Sequence, residues 1–337
     1  MGREPVAAAG PANLHPVPPA GGESDRAALV AQARQSIRKG SKSFAAASLL
    51  FDRETRERVW LLYAWCRRCD DIADAQDHGG ALGEQVAGAA RLAQIRDLTA
   101  RALAGQPTGD FAFDALGLVA RETGISPAMA EDVIAGFALD AAGWSPRTER
   151  DLMQYCWHVA GAVGVMMAVV MGVSPDDADT LERAGDLGLA FQLANIARDV
   201  EEDDAADRCY LPEEWLVEAD IPPGEEMKPH YRSRLTGIVG RLCRIARAHE
   251  CSARIGAARL RFRQRWAVLA AAGIYGEIAR EVERRGDHAW DHRVVVSRGR
   301  KVGWIARALV QAALPVSADC AVGASDRRWT RSVLAGH

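Results

Sequence analysis

Aromatic side chains are scarce, 6% of 337 residues, and apolar residues nowhere keep the strict alternation of a half-buried strand. A mainly β architecture is therefore excluded, because strands draw on aromatic and β-branched residues. No apolar run of signal-peptide length opens the chain. Its first two dozen residues are broken by repeated Pro and Gly, so residues 1–24 are expected to form a disordered leader. No Gly- or Ser-rich linker divides the rest of the chain, which favours one domain. The formal charge, −3, lacks the basic excess of a nucleic-acid-binding protein, and no nucleic-acid partner is expected. Seven cysteines cannot all pair with one another. Cys66-Arg67-Arg68-Cys69 has no second pair at zinc-site spacing and reads as ordinary helical thiols. The expectation is a cytoplasmic protein.

What is present is helical periodicity. Apolar residues recur at helical spacing over about 26–39, 54–74, 82–104, 110–123, 127–141, 149–172, 177–203, 212–218, 230–255, 258–285 and 301–314. Breaks fall at turn chemistry, and Ser precedes Pro at residues 126, 145 and 174, the pairing expected at a helix start. This predicts an all-α domain over residues 25–316 followed by a flexible C-terminal tail, 317–337. Tyr155–Val173 approaches membrane-spanning length but contains His158, Gly161, Gly164 and Gly172; a buried core helix that lets a neighbour approach closely is expected. The amphipathic stretch beyond Val302, WIARALVQAALPV, is expected to pack on the domain, with bilayer contact as the alternative. His249 and Cys251 lie in a basic segment and read as a solvated face. His288 and His292 read as surface residues.

Two acidic clusters carry chemistry. Asp70 and Asp74 are four residues apart, as are Asp199 and Asp203, so each pair shares a helical face. Asp70 and Asp74 prolong the apolar stripe of Val59, Tyr63 and Cys66; Gln192, Asn195, Asp199 and Asp203 form a polar row beside Ile196. Like charges on an inward face, at a helix C-terminus, oppose the macrodipole and need a counter-charge. A divalent cation supplies it: magnesium takes one or two carboxylates and completes its octahedron with water and phosphate oxygens. Two such faces opposed across a bundle would clamp a diphosphate. Arg67, Arg198, Arg208 and Lys42 provide groups that grip phosphate oxygens.

With these residues in view, Gly40-Ser41-Lys42-Ser43-Phe44, the run Tyr63-Ala64-Trp65-Cys66-Arg67 leading into Asp70-Asp71-Ile72-Ala73-Asp74, and Ala190 to Asp203 followed by Arg208-Cys209-Tyr210-Leu211-Pro212 resemble the head-to-head prenyl synthases, the squalene and phytoene synthases. The similarity runs in order from about residue 30 to 315 and looks closest to the bacterial phytoene branch. Asp207 stands where many relatives have Gly.

The resemblance implies a helical bundle of the isoprenoid synthase type with a central active-site cavity. It implies a prenyltransferase that joins two geranylgeranyl diphosphates through a cyclopropyl (prephytoene) diphosphate to phytoene, the first committed step of carotenoid biosynthesis. Asp70, Asp74, Asn195, Asp199 and Asp203 would hold Mg2+, with Mn2+ as the alternative ion, and no NADPH is expected. Arg67, Arg198, Arg208, Lys42 and Ser43 would bind diphosphate; Gln192 would help orient the ions; Phe44, Tyr63, Tyr210 and Tyr275 would meet the substrate, with Arg293 as a further candidate. Ser48, one turn beyond Phe44, is expected to leave room for a long isoprenoid tail. Peripheral membrane contact and hand-off to a phytoene desaturase are expected from the product's insolubility. The alternatives are a squalene, presqualene-diphosphate or C15 dehydrosqualene synthase, and a non-catalytic scaffold.

Overall fold

The computed structural model describes residues 23–73, 81–315, 318–325 and 327–334, and all regular structure among them is helical. Helices α1 (Glu23–Gly40), α2 (Lys42–Ala47) and α3 (Arg53–Ala73) lead to α4 (Ala81–Leu103), α5 (Phe111–Thr123) and α6 (Pro127–Ala141). Next, α7 (Glu149–Cys156) passes through a π turn, Trp157–Gly161, into α8 (Ala162–Val170). Then come α9 (Ala178–Asp204), the short α10 (Glu213–Glu218), α11 (Arg232–Ala257), α12 (Phe262–Arg285) and α13 (Arg298–Ala313), with α14 (Ala318–Ser325) and α15 (Arg331–Leu334) last.

Helix starts reflect side-chain chemistry. Ser126 caps α6 ahead of Pro127, as expected. The other two Ser-Pro steps do not cap. Thr148 caps α7 through a reciprocal capping box with Asp151, and Asp177 accepts from the Thr180 N–H to start α9. At both starts a nearer oxygen reaches the open backbone donors, so the helix begins later than the Ser-Pro step.

Packing places α8 at the centre. α1, α3 and α5 pack on one another and α4 lies on α5 and α6, while α9, α11 and α12 form a second group that carries α13 and α14. α8 touches α3, α5, α6 and α9, so the two helices bearing the acidic clusters share it as a neighbour. Glycines permit this closeness: a Cβ on Gly164 would lie 2.4 Å from the Ala184 carbonyl oxygen, and one on Gly188 2.1 Å from that of Ala160. The apolar stretch Glu149–Val170 is long enough to cross a membrane, but 67% of its most apolar window is buried within the protein, the core role expected.

Two expectations are corrected. His249 is not on a solvated face. It is fully buried, its Nδ1 2.7 Å from Asp186 Oδ1, and Ser252 Oγ donates to Asp186 Oδ2 at 2.5 Å, because α9 and α14 cover α11 on either side. Nor do the described residues beyond 317 behave as a flexible tail: α14 packs on α11, Arg327 pairs with Asp186 and, at 2.6 Å, with Glu182, and Trp329 Nε1 donates to Glu149 Oε1 at 2.9 Å. Residues 1–22, most of the expected leader, lie outside the described residues.

Candidate active site

On α3, Val59 is buried and Tyr63, Cys66 and Asp70 come next as half-buried positions, the continuation expected from a 3.6-residue period. Burial, and then the charge of Asp70, pushes the Cys66 thiol up to about 12, and burial raises Cys69 as well; both remain free, protonated thiols. Burial likewise raises the Tyr63 hydroxyl, with Asp70 adding to the effect and Arg67 opposing it. Gly40 makes room for that hydroxyl, since a Cβ there would fall 2.3 Å from Tyr63 Oη, and Phe44 packs on the ring with centroids 5.8 Å apart. Arg67 pairs with Asp71 at 2.5 Å, both about half exposed. Asp74 and the side chains of Lys42 and Ser43 lie outside the described residues. Ser48 does not border open space. It is fully buried, donates to the Ala45 carbonyl at 2.7 Å and accepts from Trp60 Nε1 at 2.9 Å, so a larger side chain enters only by displacing Trp60.

On α9 the polar row is as expected: Gln192, Asn195, Asp199 and Asp203 are half-buried between buried Leu193, Ala194, Ile196, Ala197 and Val200. Arg198 clasps Asp199 with two nitrogens, its Nε 2.6 Å from Oδ1. Arg293 reaches the same carboxylate from the segment after α12, at 2.8 Å, and lies 3.6 Å from Glu202. Trp290 holds that segment in place by donating to the Ala197 carbonyl at 3.0 Å. The hydrogen bond to Asp199 raises the Arg198 guanidinium against the opposing effect of burial, and Tyr275 stacks on Phe191 at 4.0 Å. Burial, and after it the charge of Asp199, pushes the Asp203 carboxyl up to about 6.

Asp203, Arg208 and Tyr210 line one pocket with Ile196 and Val200. The turn between them is tight: the Arg208 N–H donates to the Asp203 carbonyl at 2.9 Å, and Asp207 adopts φ 54°, the left-handed conformation that suits Gly. Tyr210 stacks on Tyr155, which stacks on Trp144, each with centroids 5.2 Å apart. The Tyr155 hydroxyl donates to Asp140 at 3.0 Å.

Sequence reasoning missed Tyr155, Asp140, Glu202 and Trp290. Tyr155 heads a stretch legible only as an apolar wall, and its role depends on partners from three other segments. Trp290 offered no periodic signal, because it lies beyond the last turn of α12.

A family model described as squalene/phytoene synthase matches residues 37–300, spanning both acidic helices and Arg293. The chain belongs to the squalene/phytoene synthase family. Within the family it is 45% identical to a phytoene synthase of Pseudescherichia vulneris, covering 82% of this chain and 90% of that one. It is 42% identical to a 15-cis-phytoene synthase of Pantoea ananas, covering 84% and 92%. A crystal structure of a ligand-bound dehydrosqualene synthase superposes with a TM-score of 0.74 at 27% identity, over 85% of this chain and 96% of the other. A squalene synthase from Alicyclobacillus acidocaldarius shares the fold, with a TM-score of 0.69 at 21% identity over 78% and 96%.

Proposed function

We propose that this chain is a phytoene synthase, a prenyltransferase joining two geranylgeranyl diphosphates head to head into phytoene with release of two diphosphates. The observation that carries the reading is the 45% and 42% identity to two bacterial phytoene synthases over more than four fifths of each chain.

The donor set suits a hard divalent cation. Asn195, Asp199 and Asp203 are oxygen donors on one face of α9, and Asp203, whose carboxyl is pushed up by burial and then by the charge of Asp199, is a site where a cation would be favoured. With Asp70 and Asp74, these residues would hold magnesium or manganese, which when bound would neutralise diphosphate as the allylic C–O bond breaks. Arg198 and Arg293, now bonded to Asp199, would transfer their N–H groups to the leaving diphosphate, where charge develops. Arg67, Arg208, Lys42 and Ser43 would complete that grip. The aromatic faces of Phe44, Tyr63, Tyr210 and Tyr275 would border the allylic cation, which their electron-rich rings favour. Val163 and Met167, partly accessible on α8 with Gly164, would exclude water from the tails, since water would trap the cation.

The second substrate's double bond attacks the first cation, and the new cation loses a proton to the released diphosphate as it closes to the cyclopropyl diphosphate. Its ionisation, rearrangement and loss of a proton give the triene, with no hydride donor. Peripheral membrane contact from the cytoplasm and delivery of the product to a desaturase belong to the same proposal.

The test is purified protein with magnesium and geranylgeranyl diphosphate, with and without NADPH, the hydrocarbons being extracted and chromatographed. Phytoene formed equally in both is expected. Product only from farnesyl diphosphate would favour the dehydrosqualene reading that the structural likeness at 27% identity keeps in view. Asp199→Asn is expected to lower turnover by about a thousandfold or more with an unchanged circular dichroism spectrum; a fully active variant would remove Asp199 from the site.

A further inference from the structure

α13 docks on α12 through one face only. Ala308 and Ala312 are buried, a Cβ on Gly273 would meet the Trp304 ring at 2.3 Å, and Trp266 Nε1 donates to the Ile305 carbonyl at 2.8 Å. The opposite face carries Val302, Ala306, Leu309, Val310 and Ala313, which fall within roughly a third of a turn at 3.6 residues per turn. It is apolar where a surface helix is ordinarily polar: Val302 is 66%, Val310 59% and Leu309 41% exposed. Two bonded arginines extend the patch. Arg265 donates to the Leu314 carbonyl at 2.5 Å, joining the start of α12 to the end of α13. Arg263 donates to the Leu50 carbonyl at 2.9 Å, bringing exposed Leu49 beside exposed Phe262.

Cations are in excess around this patch. Of the nine arginines between Glu250 and Glu277 and between Asp291 and Asp319, Arg254, Arg259, Arg293 and Arg300 pair with Glu250, Asp179, Asp199 and Glu277. This leaves Arg261, Arg263, Arg265, Arg298 and Arg307, with Lys301, in two stretches that contain no carboxylate of their own. Arg298 and Arg307 flank the apolar stripe on its two edges, and Arg261 is exposed beside Phe262. In a chain of net charge −3, this is a local cationic rim around aliphatic side chains. We infer that the outer face of α13, with the exposed start of α12, is a docking surface for an anionic lipid bilayer: the aliphatic stripe enters the acyl boundary and the arginines meet the headgroups. The inference deepens the membrane contact proposed above by naming its surface and its lipid charge.

The experiment is co-sedimentation of the full chain with vesicles of phosphatidylcholine alone and of an equal mixture with phosphatidylglycerol, beside light scattering without lipid. Binding to the anionic vesicles should be about tenfold or more stronger and should weaken as salt is added. Leu309→Ser with Val310→Ser should lower binding to both vesicle types, and Arg261→Glu with Arg298→Glu should abolish the preference for the anionic ones; all four positions are exposed. Equal binding to both compositions, or variants that bind as the parent does, overturns the inference. A dimer that the serine variant dissociates also overturns it, by assigning the face to a second copy of the chain. Phytoene formation from detergent-dispersed substrate, measured in parallel, separates the two proposals: its absence while vesicle binding persists counts against the reaction alone.

Discussion

Asp207 shows how far one residue can be reasoned. Its φ of 54° lies in the left-handed region, where a side chain costs roughly 1–2 kcal/mol, less for Asp than for most residues. Asp207→Gly is therefore expected to raise the midpoint of thermal unfolding, by an amount corresponding to about 1 kcal/mol or less once the greater freedom of unfolded Gly is counted. The Asp203–Arg208 turn and the activity should be kept. A lowered midpoint would mean that the Asp207 carboxylate makes a stabilising contact of its own. Other residues were legible for a different reason. The acidic rows declared themselves because a 3.6-residue period converts spacing into a face, and Asp199 and Asp203 do lie half-buried on one side of α9. Tyr155 and Trp290 did not, because their meaning lies in Asp140, Tyr210 and the Ala197 carbonyl, contacts that no local pattern encodes.

At the level of elements, the backbone contact between α9 and the π turn ahead of α8 is where sequence and packing agree most closely. The glycines of Tyr155–Val173 predicted close approach, and Gly164 and Gly188 provide it. Gly188→Ala would drive a methyl group onto the Ala160 carbonyl, and because backbone cannot rotate away as a side chain can, overpacking of about 1–3 kcal/mol is expected. Urea unfolding monitored by circular dichroism measures it; an unchanged midpoint would show that the two helices can separate freely. Helix boundaries were mostly readable to within a few residues. α2, α14 and α15 were not, since none carries a sustained apolar stripe, and α14 is held by docking on α11. The Ser-Pro steps misled where Thr148 and Asp177 competed for the same backbone donors.

For the molecule as a whole, acid should loosen the first helical group. α1, α3 and α5 are tied by Arg26, which bonds Glu57 at 2.6 Å and Glu122 at 2.7 Å, and by Arg58, 2.9 Å from Glu122. Burial alone would raise both carboxyls, but the guanidiniums reverse this and hold them below the ordinary 4.5. Carboxyls depressed in the folded state contribute stability above their unfolded pKa, and that contribution is lost as pH falls through the folded values. The urea midpoint should therefore drop below about pH 4.5. Glu122→Gln should be less stable than the parent near neutrality and should show a shallower acid loss; parallel pH profiles would dissociate the cluster from acid sensitivity.

The anchoring of Arg327 sets an order of events during synthesis. Asp186 is buried beside His249 and bonds Arg327, a residue 141 positions further along the chain. Until the ribosome has released that arginine, a desolvated carboxylate in the middle of the molecule lacks its principal cation. The C-terminal half of the bundle is therefore expected to close only once Arg327 has left the ribosome.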